Sequence, residues 1–76
     1  MDNRTPINLQ TVLLNTVRKD RMPVTIYLTN GFQIRGVITG YDNNVIIVKS
    51  NETQEMIYKH AISTIVPQSP VEIITQ

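Results

Sequence analysis

The hydrophobic period of the chain changes once, at Pro23, and that change fixes the class of fold. Before it, Asn8 can cap a helix, and Leu9, Val12, Leu13, Thr16 and Val17 recur at helical spacing. This spacing predicts one amphipathic helix over Leu9–Asp20, which Pro23 cannot continue. From Val24 the period is two, with Val24, Ile26 and Leu28 on one face and Thr25, Tyr27 and Thr29 on the other. Asn30-Gly31 is the dipeptide that best tolerates positive φ, so a tight hairpin should return the chain antiparallel over Phe32–Tyr41. Gly36 and Gly40 inside that second strand predict a bend or bulge, the device by which a small sheet curls toward a barrel. Polar turns at Asp42-Asn43-Asn44 and Asn51-Glu52-Thr53 separate the strands expected at Val45–Lys49 and Gln54–Tyr58. A short fifth strand, Thr64–Val66, should stop before Pro67. The expected class is mainly β: an N-terminal helix followed by a strongly bent five-stranded antiparallel sheet, a small open barrel. Residues 1–7 read as an N-terminal arm and 68–76 as a short mobile tail, in which Val71–Ile74 has strand propensity but no evident partner.

Size limits what such a fold can do alone. A chain of 76 residues buries only about 60% of the surface it exposes when unfolded. With no cysteine and one histidine, neither disulfides nor a structural metal can supplement the core, which leaves self-association as the expected remedy. The absence of cysteine fits a reducing compartment, the N-terminal stretch is polar, and no apolar run approaches the ~20 residues a bilayer requires. A soluble cytoplasmic protein is expected.

The chemistry of catalysis is missing. His60 has no cysteine to activate, Ser63 lies on no nucleophile turn, and Asp20, Asp42, Glu52, Glu55 and Glu72 show no paired spacing. One histidine with scattered carboxylates makes no metal site, so neither an enzyme nor a cofactor is expected. The net charge of +1 is too small to point to a polyanion, but its distribution is uneven: Arg18, Lys19 and Arg21 form one cluster, and Lys59 stands beside His60. A symmetric ring would repeat each cluster into a continuous electrostatic surface. Cations at a helix C-terminus are also favoured by the helix dipole, and an aromatic beside a turn, such as Tyr27 or Phe32, is more often a packing residue than a binding one.

Two motifs tip these readings. Tyr58-Lys59-His60-Ala61-Ile62-Ser63, with Val24-Thr25-Ile26-Tyr27-Leu28-Thr29-Asn30-Gly31 upstream, resembles the signature of Hfq, the family of bacterial Sm-like RNA chaperones. The resemblance spans 8–67 and implies an Sm-like domain there, assembled as a homohexameric ring in which strands four and five of neighbouring subunits pair. It implies a chaperone that binds single-stranded RNA, small regulatory RNA at U-rich 3′ ends and messenger RNA at A- or purine-rich segments, and promotes their pairing, with weak DNA binding and no membrane partner.

The resemblance also assigns roles. Gln10, Asn43, Asn44, Lys59 and His60 match the proximal uridine site around the pore; there lysine is a flexible cationic donor and histidine donates without a fixed charge. Tyr27, Asn30, Gly31, Phe32, Gln33, Ile34, Gln54, Glu55 and Thr64 match the distal, purine-binding face. Asn15, Arg18, Lys19 and Arg21 match the basic lateral rim, and Tyr58 a subunit-interface residue. Asn44 stands where the family usually carries an aromatic that stacks on uridine, a contact worth about 1–3 kcal/mol per base. Glu55 replaces a glutamine that reads adenine, and a carboxylate can only accept. Lys19 replaces an arginine, keeping charge but losing the planar fork. Two other readings stay open: an Sm-like ring acting mainly on protein or DNA, and a monomeric barrel that binds peptides at a sheet edge.

Overall fold

The computed structural model of the protein describes residues 8–73; the expected N-terminal arm and the last three residues lie outside it. Helix α1 spans Leu9–Lys19 and begins where the Asn8 side chain accepts from the Thr11 amide at 3.1 Å. Its buried residues are Leu14 and Val17, while Leu9, expected on the apolar stripe, is 52% exposed. The first turn overhangs the sheet, so periodicity placed the stripe correctly but not its ends. The helix stops before Pro23 acts. Arg21 takes the left-handed conformation at φ 53°, and the amides of Arg21 and Met22 donate back to the carbonyls of Arg18 (3.2 Å) and Val17 (3.0 Å). This closure usually employs glycine; a non-glycine residue held there costs on the order of 1–2 kcal/mol.

Five antiparallel strands follow: β1 Pro23–Leu28, β2 Gln33–Tyr41, β3 Val45–Ser50, β4 Thr53–Tyr58 and β5 Ile62–Pro67. They lie in the order β4-β3-β2-β1-β5, so β4 and β5 form the two edges of an unclosed sheet. The β1–β2 loop is Thr29-Asn30-Gly31. Gly31 alone takes positive φ (95°), its amide donates to the Leu28 carbonyl at 3.0 Å, and the Asn30 side chain accepts from the Phe32 amide at 3.0 Å. The expected tight turn is thus a three-residue loop needing one left-handed residue, not two.

The fifth strand is longer than periodicity indicates, running from Ile62 through Pro67. It is set by its partner: Tyr27 lies opposite Thr64 and Leu28 opposite Ile62, with a bulge between. Pro67 is tolerated at the end of an edge strand, where the next amide, Gln68, closes the ladder on the Pro23 carbonyl at 2.9 Å. Between β4 and β5 the chain makes a single 3₁₀ turn, Lys59–Ala61, an element that periodicity did not indicate. Beyond β5, no described residue pairs as a strand, but Val71 packs against the core.

The bend in β2 encloses that core. A bulge lies between Ile38 and Gly40 in the pairing with β3, and a Cβ added at Gly36 would sit 2.5 Å from the Lys49 carbonyl oxygen and 2.9 Å from Val48 Cγ1. Only glycine permits β3 to fold so closely over β2. Leu14 and Val17 from α1 thereby meet Val24, Ile26, Ile38, Ile46, Val48 and Ile57 from the four strands β1–β4. Gly36→Ala should lower stability by about 1–3 kcal/mol, as overpacking does. Urea unfolding checks it, and an unchanged midpoint would show that the bend does not rest on the missing side chain.

The β2–β3 turn carries an electrostatic signature. Asp42 Oδ1 accepts from the amides of Asn44 at 2.7 Å and Val45 at 2.9 Å. These two bonds hold the carboxyl below the usual aspartate value against an opposing desolvation, with a lesser contribution from the Lys59 charge. Because the folded value lies below the unfolded one, the turn's contribution is complete above the ordinary aspartate range. It is lost as the pH falls through the lowered folded value. An NMR carboxyl titration should place the Asp42 midpoint below that of aspartate in an unstructured peptide, and an ordinary midpoint would refute the turn bonds.

Candidate nucleic-acid interface

The 3₁₀ turn assembles one cluster from three distant parts of the sequence. The Lys59 amide donates to the Asn44 carbonyl at 2.8 Å, which ties the turn to the β2–β3 loop. The Lys59 ammonium donates to Gln10 Oε1 at 2.6 Å, which ties it to the first turn of α1. His60 follows, exposed, its ring 5.8 Å from that of Tyr58 with planes 29° apart. Gln10, Asn44, Lys59 and His60 therefore converge, and Asn43 lies exposed in the same loop. The cluster offers a cation, an imidazole and amides to a polar partner. Beside it, a cleft of about 380 Å³ runs between α1 and β5, walled by Leu9, Leu13, Ile65 and Ile73 with Gln10 and Lys59 at its polar end.

A second set lies on the face of β1 turned away from the core. Val24 and Ile26 point inward and are buried, so Tyr27 points outward, 39% exposed, in register with Gln33 on β2 and Thr64 on β5. Asn30, Gly31 and Phe32 flank this row at the loop, and Phe32 is 69% exposed. Among the described residues this ring is not part of the core. Ile34, expected in the same wall, pairs with Ile26 and packs against the core instead. Gln54 and Glu55 are not brought to this set: they lie on β4, separated from β1 by β3 and β2.

The third set is basic. Arg18 donates to Asn15 Oδ1 at 2.8 Å, an i to i−3 bond that aligns the guanidinium along α1. Arg18 and Arg21 line a groove of about 620 Å³ together with Lys49 and Asn51 from the β3–β4 hairpin, and among the described residues no carboxylate lines it. Lys49 joins only because the bent sheet carries β3 next to the helix end, and sequence spacing held no sign of it. Lys19 is exposed but does not line the groove. Sequence reasoning also missed Tyr41, whose ring centroid lies 5.7 Å from the Arg18 guanidinium carbon and 5.8 Å from the Lys59 ammonium. An aromatic two residues after a strand bulge could have been flagged, but its two cations come from elements remote in sequence.

Among the described residues no group of histidine and carboxylate side chains is spaced to hold a metal ion, and no helix is long and apolar enough to cross a membrane. Tyr58 and Met56 on β4 and Val66 on β5 are large, apolar and about half exposed, and all three stand on the open edges of the sheet.

Comparison with known proteins places this geometry. The family model described as Hfq protein matches residues 9–72. The RNA-binding protein Hfq of Desulfitobacterium hafniense is 51% identical over 72 residues, covering 95% of this chain and 87% of that protein. That of Moorella thermoacetica is 51% identical over 74 residues, covering 97% and 88%. A crystal structure of the pleiotropic translational regulator Hfq superposes with a TM-score of 0.76 at 42% identity, covering 78% of this chain and 98% of that one. An Hfq protein from Anabaena sp. superposes with a TM-score of 0.72 at 27% identity, covering 80% of this chain and all of the other. With the helix, the bent five-stranded Sm-like sheet and the Tyr58–Ser63 motif all matched, this chain belongs to the Hfq family.

Proposed function

We propose that this protein is an RNA chaperone of the cytoplasm that binds small regulatory RNA and messenger RNA on separate faces and raises their rate of pairing. The observation that supports the reading is the placement of two sets of polar and aromatic side chains on opposite sides of the sheet. Gln10, Asn44, Lys59 and His60 gather about the 3₁₀ turn, joined to the helix on the core side of the sheet, while Tyr27, Gln33 and Thr64 form a row on the side turned away. Amides, cations and exposed aromatics on a sheet and its turns suit single-stranded RNA. The basic groove of Arg18, Arg21 and Lys49 would hold the RNA body by its phosphates. Binding two RNAs to one scaffold promotes pairing through local concentration, without chemistry.

The working form in this reading is a homohexameric ring. The unpaired edges β4 and β5 carry exposed Met56, Tyr58 and Val66, and pairing β4 of one copy with β5 of the next would cover them. The same pairing would bring Gln54 and Glu55 of one copy beside Thr64 and Tyr27 of its neighbour, completing a purine site that one chain leaves divided. Closure supplies the burial that a chain of this size lacks.

Native mass spectrometry should give six copies at micromolar concentration, and a monomer would overturn the ring. Tyr27→Ala should weaken oligo-A binding about tenfold, the loss of a stacked base, while leaving oligo-U unaffected. Lys59→Ala should do the reverse, and the oligo-U affinity of the native protein should fall steeply with salt. Equal losses for both homopolymers in either variant would refute two separate faces.

A further inference from the structure

The chain does not leave the fold at the end of β5. The Gln68 amide donates to the Pro23 carbonyl at 2.9 Å, which pins that end beside the start of β1. Further along, Ile73 lines the cleft between α1 and β5, to which β5 contributes Ile62 to Ile65 but neither Val66 nor Pro67. Between these points the backbone has therefore turned back along β5 toward the 3₁₀ turn. Val71 packs against the core, Glu72 is exposed and Ile73 is half-buried, so the apolar residues of this strap are used by side-chain packing without a ladder partner. The strap meets the helix where the helix has least to hold it. The buried residues of α1 are Leu14 and Val17, whereas Leu9 in the first turn is 52% exposed. That turn is tied down by the Asn8 cap and by the bond from the Lys59 ammonium to Gln10 at 2.6 Å. Among the described residues, Ile73 is the one apolar wall of the cleft beneath it that comes from neither the helix nor the sheet.

We propose that Ile73 is a positioning residue: the strap braces the first turn of α1 against β5 and so keeps Gln10 where it aligns Lys59 for a uridine-bearing strand. The inference rests on the reading of Gln10 and Lys59 given above. Ile73 needs no contact with RNA to act in this way. Gln10 reaches Lys59 from the helix, so a shift of the first turn breaks the bond and returns the ammonium to its free rotamers. A long side chain that is already held loses less freedom on binding, and bracing the turn strengthens binding by preorganisation. Apolar burial supplies the brace, because removing the Ile73 side chain opens an apolar cleft to water and loosens the elements on either side of it. The row of Tyr27, Gln33 and Thr64 lies on the other side of the sheet and uses no residue of α1, so the strap acts on one RNA surface and not on both.

The test uses the full chain, with oligo-U affinity, oligo-A affinity and amide hydrogen exchange along α1 as readouts. Ile73→Ala should weaken oligo-U about two- to tenfold, the cost of immobilising one freed long side chain, and leave oligo-A unchanged. The same substitution should speed exchange at the Thr11 and Val12 amides, which bond to Asn8, and leave the Val17 amide as it was. Ile73→Leu conserves volume and should restore both readouts. Ile73→Val, one methylene smaller, should show the same losses on a lesser scale even if the alanine variant folds poorly. In a Gln10→Ala background the loss caused at position 73 should vanish, because the effect passes through that side chain. Equal weakening of oligo-A, an undiminished loss in the Gln10→Ala background, or an unchanged oligo-U affinity would overturn the role of Ile73 while leaving the two RNA surfaces intact. Failure of the native chain to bind oligo-U at all would instead overturn the reading on which the inference rests.

Discussion

The close approach of β3 to Gly36 governs the rest of the structure. A Cβ there would meet the Lys49 carbonyl oxygen, so the absence of a side chain lets a nine-residue β2 bend and serve both halves of the sheet. The bend wraps Ile38, Ile46, Val48 and Ile57 around the side chains of α1, giving a core to a chain too short for two flat layers. It also carries Lys49 toward the helix C-terminus, making a basic groove from residues far apart in sequence. The sheet curls without closing, and β4 and β5 remain as open edges. Fold, groove and open edges follow from one steric allowance.

The cluster at the 3₁₀ turn depends on that frame in a different way. Its members are polar side chains outside the buried core, so hydrogen bonds do the placing: Lys59 amide to Asn44 carbonyl, Lys59 ammonium to Gln10, and the amides of the Asp42 turn to the Asp42 carboxylate. Gln10, Asn44 and His60 in this cluster are exposed. Asn44 stands in it without an aromatic ring, so the cluster offers polar groups and charge. The nearest aromatics are Tyr58, stacked on His60, and Tyr41, which faces Lys59 and Arg18.

Much of this was legible in the residues. The switch of period at Pro23, the Asn30-Gly31 turn and the paired glycines of β2 gave the order and type of every major element, because each is a local preference of the backbone. The Tyr58–Ser63 run, with the strand ending at Asn30-Gly31, identified the family. Other features were not legible. Leu9 belongs to the helical period yet lies open, Ile34 stands beside exposed neighbours yet faces the core, and Arg21 ends the helix in a conformation its side chain does not favour.

The sequence by itself therefore determined the list of elements, their turns and the family, since periodicity and turn chemistry act over a few residues. Only the tertiary structure decided which residues share a surface. It lengthened β5 through its pairing with β1, divided Tyr27 from Glu55 by two intervening strands, and set Arg18 and Lys59 at the ring of Tyr41. Those outcomes rest on ladder register and on the bend at Gly36, which couple residues tens of positions apart and leave no trace in local spacing.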